Sequence, residues 1–491
     1  MRDPVDGPLP ASETPMISRG RVTLRRGSAL GVVFVLAFLV RSLYAVSLAP
    51  SMYSPSQPGT RMAWRYDDTA VAILAGEGIL WPRNPDPIHT GLLARPPGFG
   101  TFLAIVYLTL GRSFFAAQLV QNALTSLACV LLVLVGARLV DWRTGLVAGV
   151  IAALSPHLAY TSNLVLPDAL CALPLLAALL LLARAHPDGA AGWWWSALAG
   201  GLIGVGVWLR PNVVLLAPFL SGVLLLLSRR RWRAVVHGVA LTAGAAAVVA
   251  PITVRNYLIF HELVPVSING GLTFWQGVAD AGGEAVGARR RDKHVMEEEA
   301  VRYANPRYRE WWAEPDGIWR DRDRYRRARE VIRAHKALYG RVILRRMGAM
   351  LDYGSGDAPT VALCGVSDSP ERPDDVDSGR THDLARRASD DVFLAPGRVA
   401  GPLRLPVAWL QAALAFLLPL LLVGTAILLR RDWRRTTLLL AISAYYLLSE
   451  SFFIFEWRVV MPMHYGLFVA AAAGVLLLWD LPVGLLARYR R

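Results

Sequence analysis

The sequence predicts an all-α, polytopic membrane protein, and three observations carry that prediction. Of 491 residues, 54% are hydrophobic and only 18% charged, with a mean hydropathy of +0.38, a balance outside that of soluble domains. Apolar runs approaching the ~20 residues that cross a bilayer recur along the chain. Basic residues gather at alternate ends of those runs, the bias that marks cytoplasmic loops.

Taken in order, residues 1–28 form a Pro-rich, polar tail read as disordered and cytoplasmic, with Met16 as an alternative start. The run after Arg25 and Arg26 is longer than a signal-peptide core and reads as an uncleaved anchor. Ten spans are expected, at about 29–49, 114–138, 145–160, 163–184, 193–210, 211–228, 233–251, 404–429, 436–455 and 459–480. Arg19 to Arg26, Arg138 with Arg143, Arg229 to Arg233, Arg430 to Arg435 and Arg488 to Arg491 all fall on one side when the spans alternate. Both termini are then cytoplasmic. The same parity makes the apolar run 98–110 begin and end outside, and it is too short to cross, so it is read as a re-entrant or interfacial helix.

The chain divides into an N-terminal transmembrane module over 29–258 with an outer loop at 50–97, an extracytoplasmic region over 259–403, and C-terminal transmembrane helices with a short cytoplasmic tail over 404–491. In the first loop a short helix from Asp68 to Ala75 stops at Gly76 and Gly78. In the second, Ile332, Leu338, Val342, Met347 and Met350 recur at helical spacing against a face of Arg, which predicts one helix from Tyr325 to Met350, lying among anionic head groups or packed on the outer region. Gly, Ser, Pro and Asp dominate 354–402, read as a mobile loop. Gly200 and Gly204 stand four apart within a span, a spacing that admits close helix contact.

A net charge of +15 and a pI near 10.2 would suggest nucleic acid in a soluble chain, but the excess sits in the cytoplasmic loops, so no nucleic-acid partner is expected. Cys129 and Cys171 lie in spans and Cys364 stands alone outside, which gives neither a disulfide framework nor a thiolate metal site. His89 and His464 read as surface or interfacial side chains.

The groups that can do chemistry lie on the outer side. Asp67 and Asp68, beside Tyr66, could deprotonate a hydroxyl, hold a divalent metal such as Mg2+ or Mn2+, or simply cap a helix. Asp168 follows Pro167 at the head of a long apolar run, where an ionisable group points to function or caps the start of an interfacial helix. Arg210, Arg255 and Arg458 stand at outer span ends, against the usual bias, and Arg95 belongs with them. A phosphate matches the guanidinium fork, and ion pairs to Asp67, Asp168, Glu450 or Glu456 are the structural counterpart.

The order of these signatures resembles a family. Arg65-Tyr66-Asp67-Asp68 with Leu74-Ala75-Gly76, then Arg95-Pro96-Pro97-Gly98-Phe99, Gly111, Gln118 and Gln121, Ser155-Pro156, Leu166-Pro167-Asp168, Arg210-Pro211, Pro251, Arg255-Asn256-Tyr257, Val264-Pro265, Asn269-Gly270-Gly271, and Arg458 with Pro462 follow one another as in polytopic GT-C glycosyltransferases. The resemblance is to the protein O-mannosyltransferase, aminoarabinose transferase and Rgt-like galacturonosyltransferase group, of the glycosyltransferase family 39 type. It implies a GT-C fold of about 10–12 transmembrane helices with two large outer loops.

The resemblance also implies a hexosyl or pentosyl transferase. The enzyme would move a sugar from a polyprenyl-phosphate-linked donor to an acceptor glycan, lipid or protein at the outer face, with inversion and a carboxylate base. Asp67, Asp68 and Asp168 are then the catalytic candidates, Arg255, Arg458, Arg210 and Arg95 the phosphate-binding ones, and Tyr66, Asn256 and Tyr257 the substrate-lining ones. Relatives often carry an acid four residues before the tyrosine, where this chain has Met62. A flippase or transporter of lipid-linked glycans is the competing class, but it predicts paired broken helices in two halves, and no internal repeat is visible. An inactive transferase-like scaffold is a third. The Arg- and Ala-rich composition suits a bacterial inner membrane.

Overall fold

The computed structural model describes residues 16–52, 58–80, 91–185, 192–279, 288, 292–309, 317–351, 353, 416–453 and 457–489. Among these residues the regular structure is helical throughout. The 354–402 loop, His89, Cys364 and Glu456 lie outside the described residues.

Among the described residues four helices are long and apolar enough to cross a membrane: Arg26–Val46, Phe114–Leu139, Arg231–Phe260 and Met461–Asp480. They belong to α1 (Met16–Met52), α5 (Phe114–Leu139), α11 (Arg231–Phe260) and α17 (Met461–Tyr489). Shorter apolar helices fill the bundle between them: α4 (Gly98–Leu110), α6 (Trp142–Leu154), α8 (Ala172–Ala185), α9 (Trp193–Leu209) and α10 (Leu216–Leu227). α16 (Leu417–Ser451) is helical on both sides of Asp432, whose extended φ of −157° breaks it where the sequence places a cytoplasmic turn between two spans. Arg434 and Arg435 donate their backbone N–H groups to the Asp432 carboxylate there, as at a helix start.

Glycine lets several of these helices touch backbone to backbone. A Cβ at Gly200 or Gly244 would overlap the carbonyl of Leu241 or Ala197 across the α9–α11 contact, and one at Gly424 would overlap Ala470 O between α16 and α17. The small-residue spacing read at Gly200 and Gly204 is therefore a packing seam.

Two predicted spans are cut differently. Helix α6 ends at Leu154, where Ser155 turns the chain and caps the short α7 (Pro156–Thr161) with Pro156 in its first turn. Residues 162–171 then run without a regular helix, all of them buried, and α8 begins only at Ala172. Pro156 and Pro167 interrupt the ladder, while the apolar composition of the segment hides the interruption from periodicity. Arg41, fully buried on α1, sits at this break. Its Nη1 donates to Ala37 O at 3.2 Å and lies 3.5 Å from Ala153 O, and its Nη2 is 3.5 Å from Ala152 O and 3.3 Å from Cys129 Sγ. Pro156 has no N–H to offer Ala152 O, and the guanidinium at the C-terminus of α6 stands in for it.

The region expected from sequence to lie outside, the outer region, is built from α12 (Gly270–Ala279), α13 (Asp292–Arg302), α14 (Gly317–Ala334) and α15 (Lys336–Leu351). The single helix expected from Tyr325 to Met350 is two, parted at His335. Trp275, Val278, Met296, Ala328, Tyr339 and Val342 form its apolar core, so the α14–α15 pair is packed on the outer region. One stripe of α14 arginines turns inward, as Arg320, Arg324 and Arg327 bond Glu299 at 2.7–3.0 Å. Arg346 of α15 donates to Ser451 O at 2.9 Å and to Gly277 O, which joins the outer region to the carbonyl end of α16.

Candidate active site

The first loop folds as α2 (Pro58–Ala72), extended by a wider turn over Ile73–Glu77 and ended by Gly76 and Gly78 at φ 84° and 85°, a conformation glycine adopts without strain. Ala63, Tyr66, Asp67 and Ala70 are buried and lie at i, i+3, i+4 and i+7, one helical face, which packs on α4. Asp68 falls on the exposed side. The 13-residue run read as a re-entrant or interfacial helix is α4, complete at that length.

Asp67 is held on three sides. Tyr107 Oη donates to its Oδ1 at 2.8 Å, Arg112 Nε donates to the same oxygen at 3.2 Å, and Arg112 Nη2 pairs with Oδ2. Neither Tyr107 nor Arg112 was expected from sequence. Arg112 follows the glycine that ends α4, at the span end expected from sequence to face outside, where arginine is as irregular as at Arg210 and Arg458.

A second group of charges forms beside it. The short turn α3 (Gly91–Ala94) delivers Arg95, whose guanidinium lies 4.8 Å over the Tyr66 ring. Tyr66 also meets Phe99 edge to face at 5.0 Å. Arg210 ends α9 in extended backbone before Pro211 and pairs with Asp168. Asp168 is 2% exposed, and neither of its carboxylate oxygens makes a hydrogen bond beyond that ion pair. Arg458, also buried, completes the group, because Tyr66 feels the charges of Arg95, Arg210, Asp168 and Arg458 together.

The electrostatics follow from crowding. Burial raises the Tyr66 phenol above its ordinary value against the opposing pull of Arg95, Arg210 and Arg458. Burial lowers Arg95, Tyr66 acts against that shift, and the neighbouring guanidinium groups of Arg65, Arg210 and Arg458 add to it. Arg95 Nη1 is buried without a hydrogen-bond partner. Near Tyr66, three guanidinium groups against one carboxylate leave excess positive charge in a partly desolvated place, which an anion would relieve.

The remaining expectations fall elsewhere. Arg255 and Asn256 are both buried and hold each other, with Arg255 Nη2 donating to Asn256 Oδ1 at 2.7 Å. Asn256 Nδ2 in turn donates to Val264 O at 2.9 Å, a tie across the turn out of α11. Tyr257 is 55% exposed on α11. His464 is not a surface side chain. It is buried, stacked at 4.6 Å on Trp457, the neighbour of Arg458, and bonded to the Tyr353 hydroxyl through Nδ1. Among the described residues no three His, Cys, Asp or Glu side chains converge as a metal site, and the one carboxylate among three arginines is a poor donor set for a cation.

Residues 94–254 match the sequence model of the dolichyl-phosphate-mannose-protein mannosyltransferase family. That family is of GT-C type. Arg95, Asp168 and Arg210 all lie inside the matched segment, and Tyr66 and Arg458 lie outside it. Among solved structures the chain is similar to the archaeal oligosaccharyltransferase AglB from Archaeoglobus fulgidus, in complex with an inhibitory peptide and a dolichol-phosphate, with TM-score 0.45 and 13% identity over 91% of this chain and 50% of that one. The chain thus spans half the length of that protein. ArnT from Cupriavidus metallidurans bound to undecaprenyl phosphate gives TM-score 0.38 and 16% identity, covering 90% of this chain and 76% of that one. Its apo state gives 0.34 and 15%, covering 93% and 77%. No curated protein matches the chain in sequence.

Proposed function

We propose that this protein is a membrane glycosyltransferase that moves a sugar from a polyprenyl-phosphate-linked donor to a hydroxyl-bearing acceptor at the outer face, with inversion. The observation that carries the reading is the group of half-buried Arg95 and Arg210 with buried Arg458, Asp168 and Tyr66, in which Arg95 Nη1 is unsatisfied and three members lie within the matched segment. A guanidinium cluster suits a leaving phosphate, since charge that develops as the anomeric carbon–oxygen bond breaks is met by donors already in place.

Asp168 is the base we assign. Its oxygens carry no hydrogen bond beyond the Arg210 pair, so a lone pair is open to an acceptor hydroxyl. The hydroxyl loses its proton to Asp168 and attacks the anomeric carbon from the face opposite the phosphate, and the lipid phosphate departs with the bonding electrons. Arg210, paired with Asp168 before the donor arrives, can turn to the phosphate when it does. Asp67 is spoken for by Arg112 and Tyr107, and its part is to hold α2 on α4 so that Tyr66 faces the cluster.

Transfer of labelled sugar from polyprenyl-phosphate donors, in membranes with matched protein levels, tests the assignment. Asp168→Asn should lower transfer by about 10²–10⁴-fold, and Arg95→Gln by about 10²-fold. Full transfer by Asp168→Asn with loss in Asp67→Asn would move the base to Asp67. A wild type inert with every donor would favour a transporter or scaffold.

A further inference from the structure

Asp168 leaves the backbone from a stretch that lacks a regular helix and is buried at every residue from 162 to 171. Inside a bilayer such backbone has no water to satisfy it, so its polar groups must be met by protein. For three successive residues they are met from α5. Gln118 Nε2 donates to Asn163 O at 2.7 Å, and Gln121 Nε2 donates to Ser162 O at 2.9 Å and to Leu164 O at 2.7 Å. Asn122 Nδ2 donates to Asn163 Oδ1 at 3.0 Å, and Asn163 Nδ2 donates to Arg41 O at 2.9 Å. Gln118, Gln121 and Asn122 lie at i, i+3 and i+4, a polar stripe on a mostly apolar helix, each at most 1% exposed.

We propose that Gln118 and Gln121 are positioning residues for Asp168, a role that rests on the reading of Asp168 as the base. Leu164 O accepts from Gln121 and also from the backbone N–H of Leu166 at 2.7 Å, so the amide fixes the carbonyl on which the chain turns toward Pro167. Pro167 O then accepts from Cys171 N at 3.1 Å and closes the turn that carries Asp168. The carboxylate has no hydrogen bond beyond its pairing with Arg210, so the backbone path supplies its aim. An amide pair on a rigid helix gives that path its direction, and a small misplacement of a reacting group is costly.

The test uses the whole chain in lipid nanodiscs, with Gln121→Met, which keeps length and loses both donors, and Gln118→Met, which loses the bond to Asn163 O and serves if the first variant fails to fold. Hydrogen exchange over 160–172 should rise at least tenfold while α9 and α11 keep their protection. kcat should fall about 10–100-fold with donor KM within twofold, and Gln121→Met with Asp168→Asn should be no slower than Asp168→Asn alone. Unchanged exchange over 160–172 would overturn the proposal, as would raised exchange with unchanged kcat, the pattern of a purely structural amide. Full transfer by Asp168→Asn would overturn the base assignment and the positioning role with it. The exchange result is read independently of transfer, so it separates that failure from failure of the template itself.

Discussion

At the scale of single residues, Asp321 shows how burial sets a pH response. Its carboxylate accepts from Gly271 N at 2.9 Å at the start of α12, yet burial raises its pKa to about 7, more than the Gly271 bond and Arg324 pull it down. A carboxyl raised in the folded state stabilises most below its unfolded pKa near 4, and that contribution is lost as pH climbs through about 7. Glu299 runs the other way. Burial alone would raise it, but Arg324 and Arg320 outweigh burial and hold it below the usual range, so its contribution disappears only in acid. Asp321→Asn keeps the acceptor and removes the charge, so it should stabilise the outer region by about 1–2 kcal/mol at pH 8 and by little at pH 4. Denaturation followed at both pH values checks this, and an unchanged pH dependence would place its source elsewhere. Asp168 and the outer arginines were legible in the sequence because charge at a span end is rare. The grip of Tyr107 and Arg112 on Asp67 was not, since it joins residues 40 and 45 positions apart. The buried face holding Tyr66 and Asp67 could have been read from spacing, which separates Asp67 from Asp68.

At the scale of elements, the break between α6 and α7 depends on a cation and a proline acting together. Arg41→Met strips Ala152 O and Ala153 O of their donor, and each orphaned buried carbonyl costs about 1–3 kcal/mol. Pro156→Ala restores a backbone N–H that can reach Ala152 O. The cost of Arg41→Met should therefore shrink by about 1 kcal/mol in the Pro156→Ala background. Thermal unfolding of the four species gives the coupling, and strict additivity would mean that Arg41 does not stand in for the missing donor. Length and hydropathy made most apolar helices legible, α4 included. They could not reveal where helix gives way to turn in 155–171, because an apolar coil and an apolar helix have the same composition. The division at His335 escaped for a related reason, as α14 and α15 carry one continuous amphipathic pattern into the same core.

At the scale of the whole molecule, alternation of basic loops sets the expected order of spans and the expected place of the outer region, but nothing in the pattern foretold how that region docks. Arg346 reaches backbone carbonyls 69 and 105 residues away, and a carbonyl leaves no mark in the sequence. The lengths of the inner helices carry a separate consequence. α6 has 13 residues and α10 has 12, so they rise only ~20 Å and ~18 Å, against a hydrocarbon slab of ~30 Å. Lipid beside α10, where Leu225 and Leu226 are exposed, has to compress to meet it, at a cost of fractions of a kcal/mol per Å. Under the proposed function, activity should therefore sense bilayer thickness. In proteoliposomes of phosphatidylcholines with progressively longer acyl chains, sugar transfer should fall several-fold from the thinnest to the thickest membrane, while a detergent-solubilised sample, freed of the slab, shows no such series. The chain would then work best where the membrane is already thin.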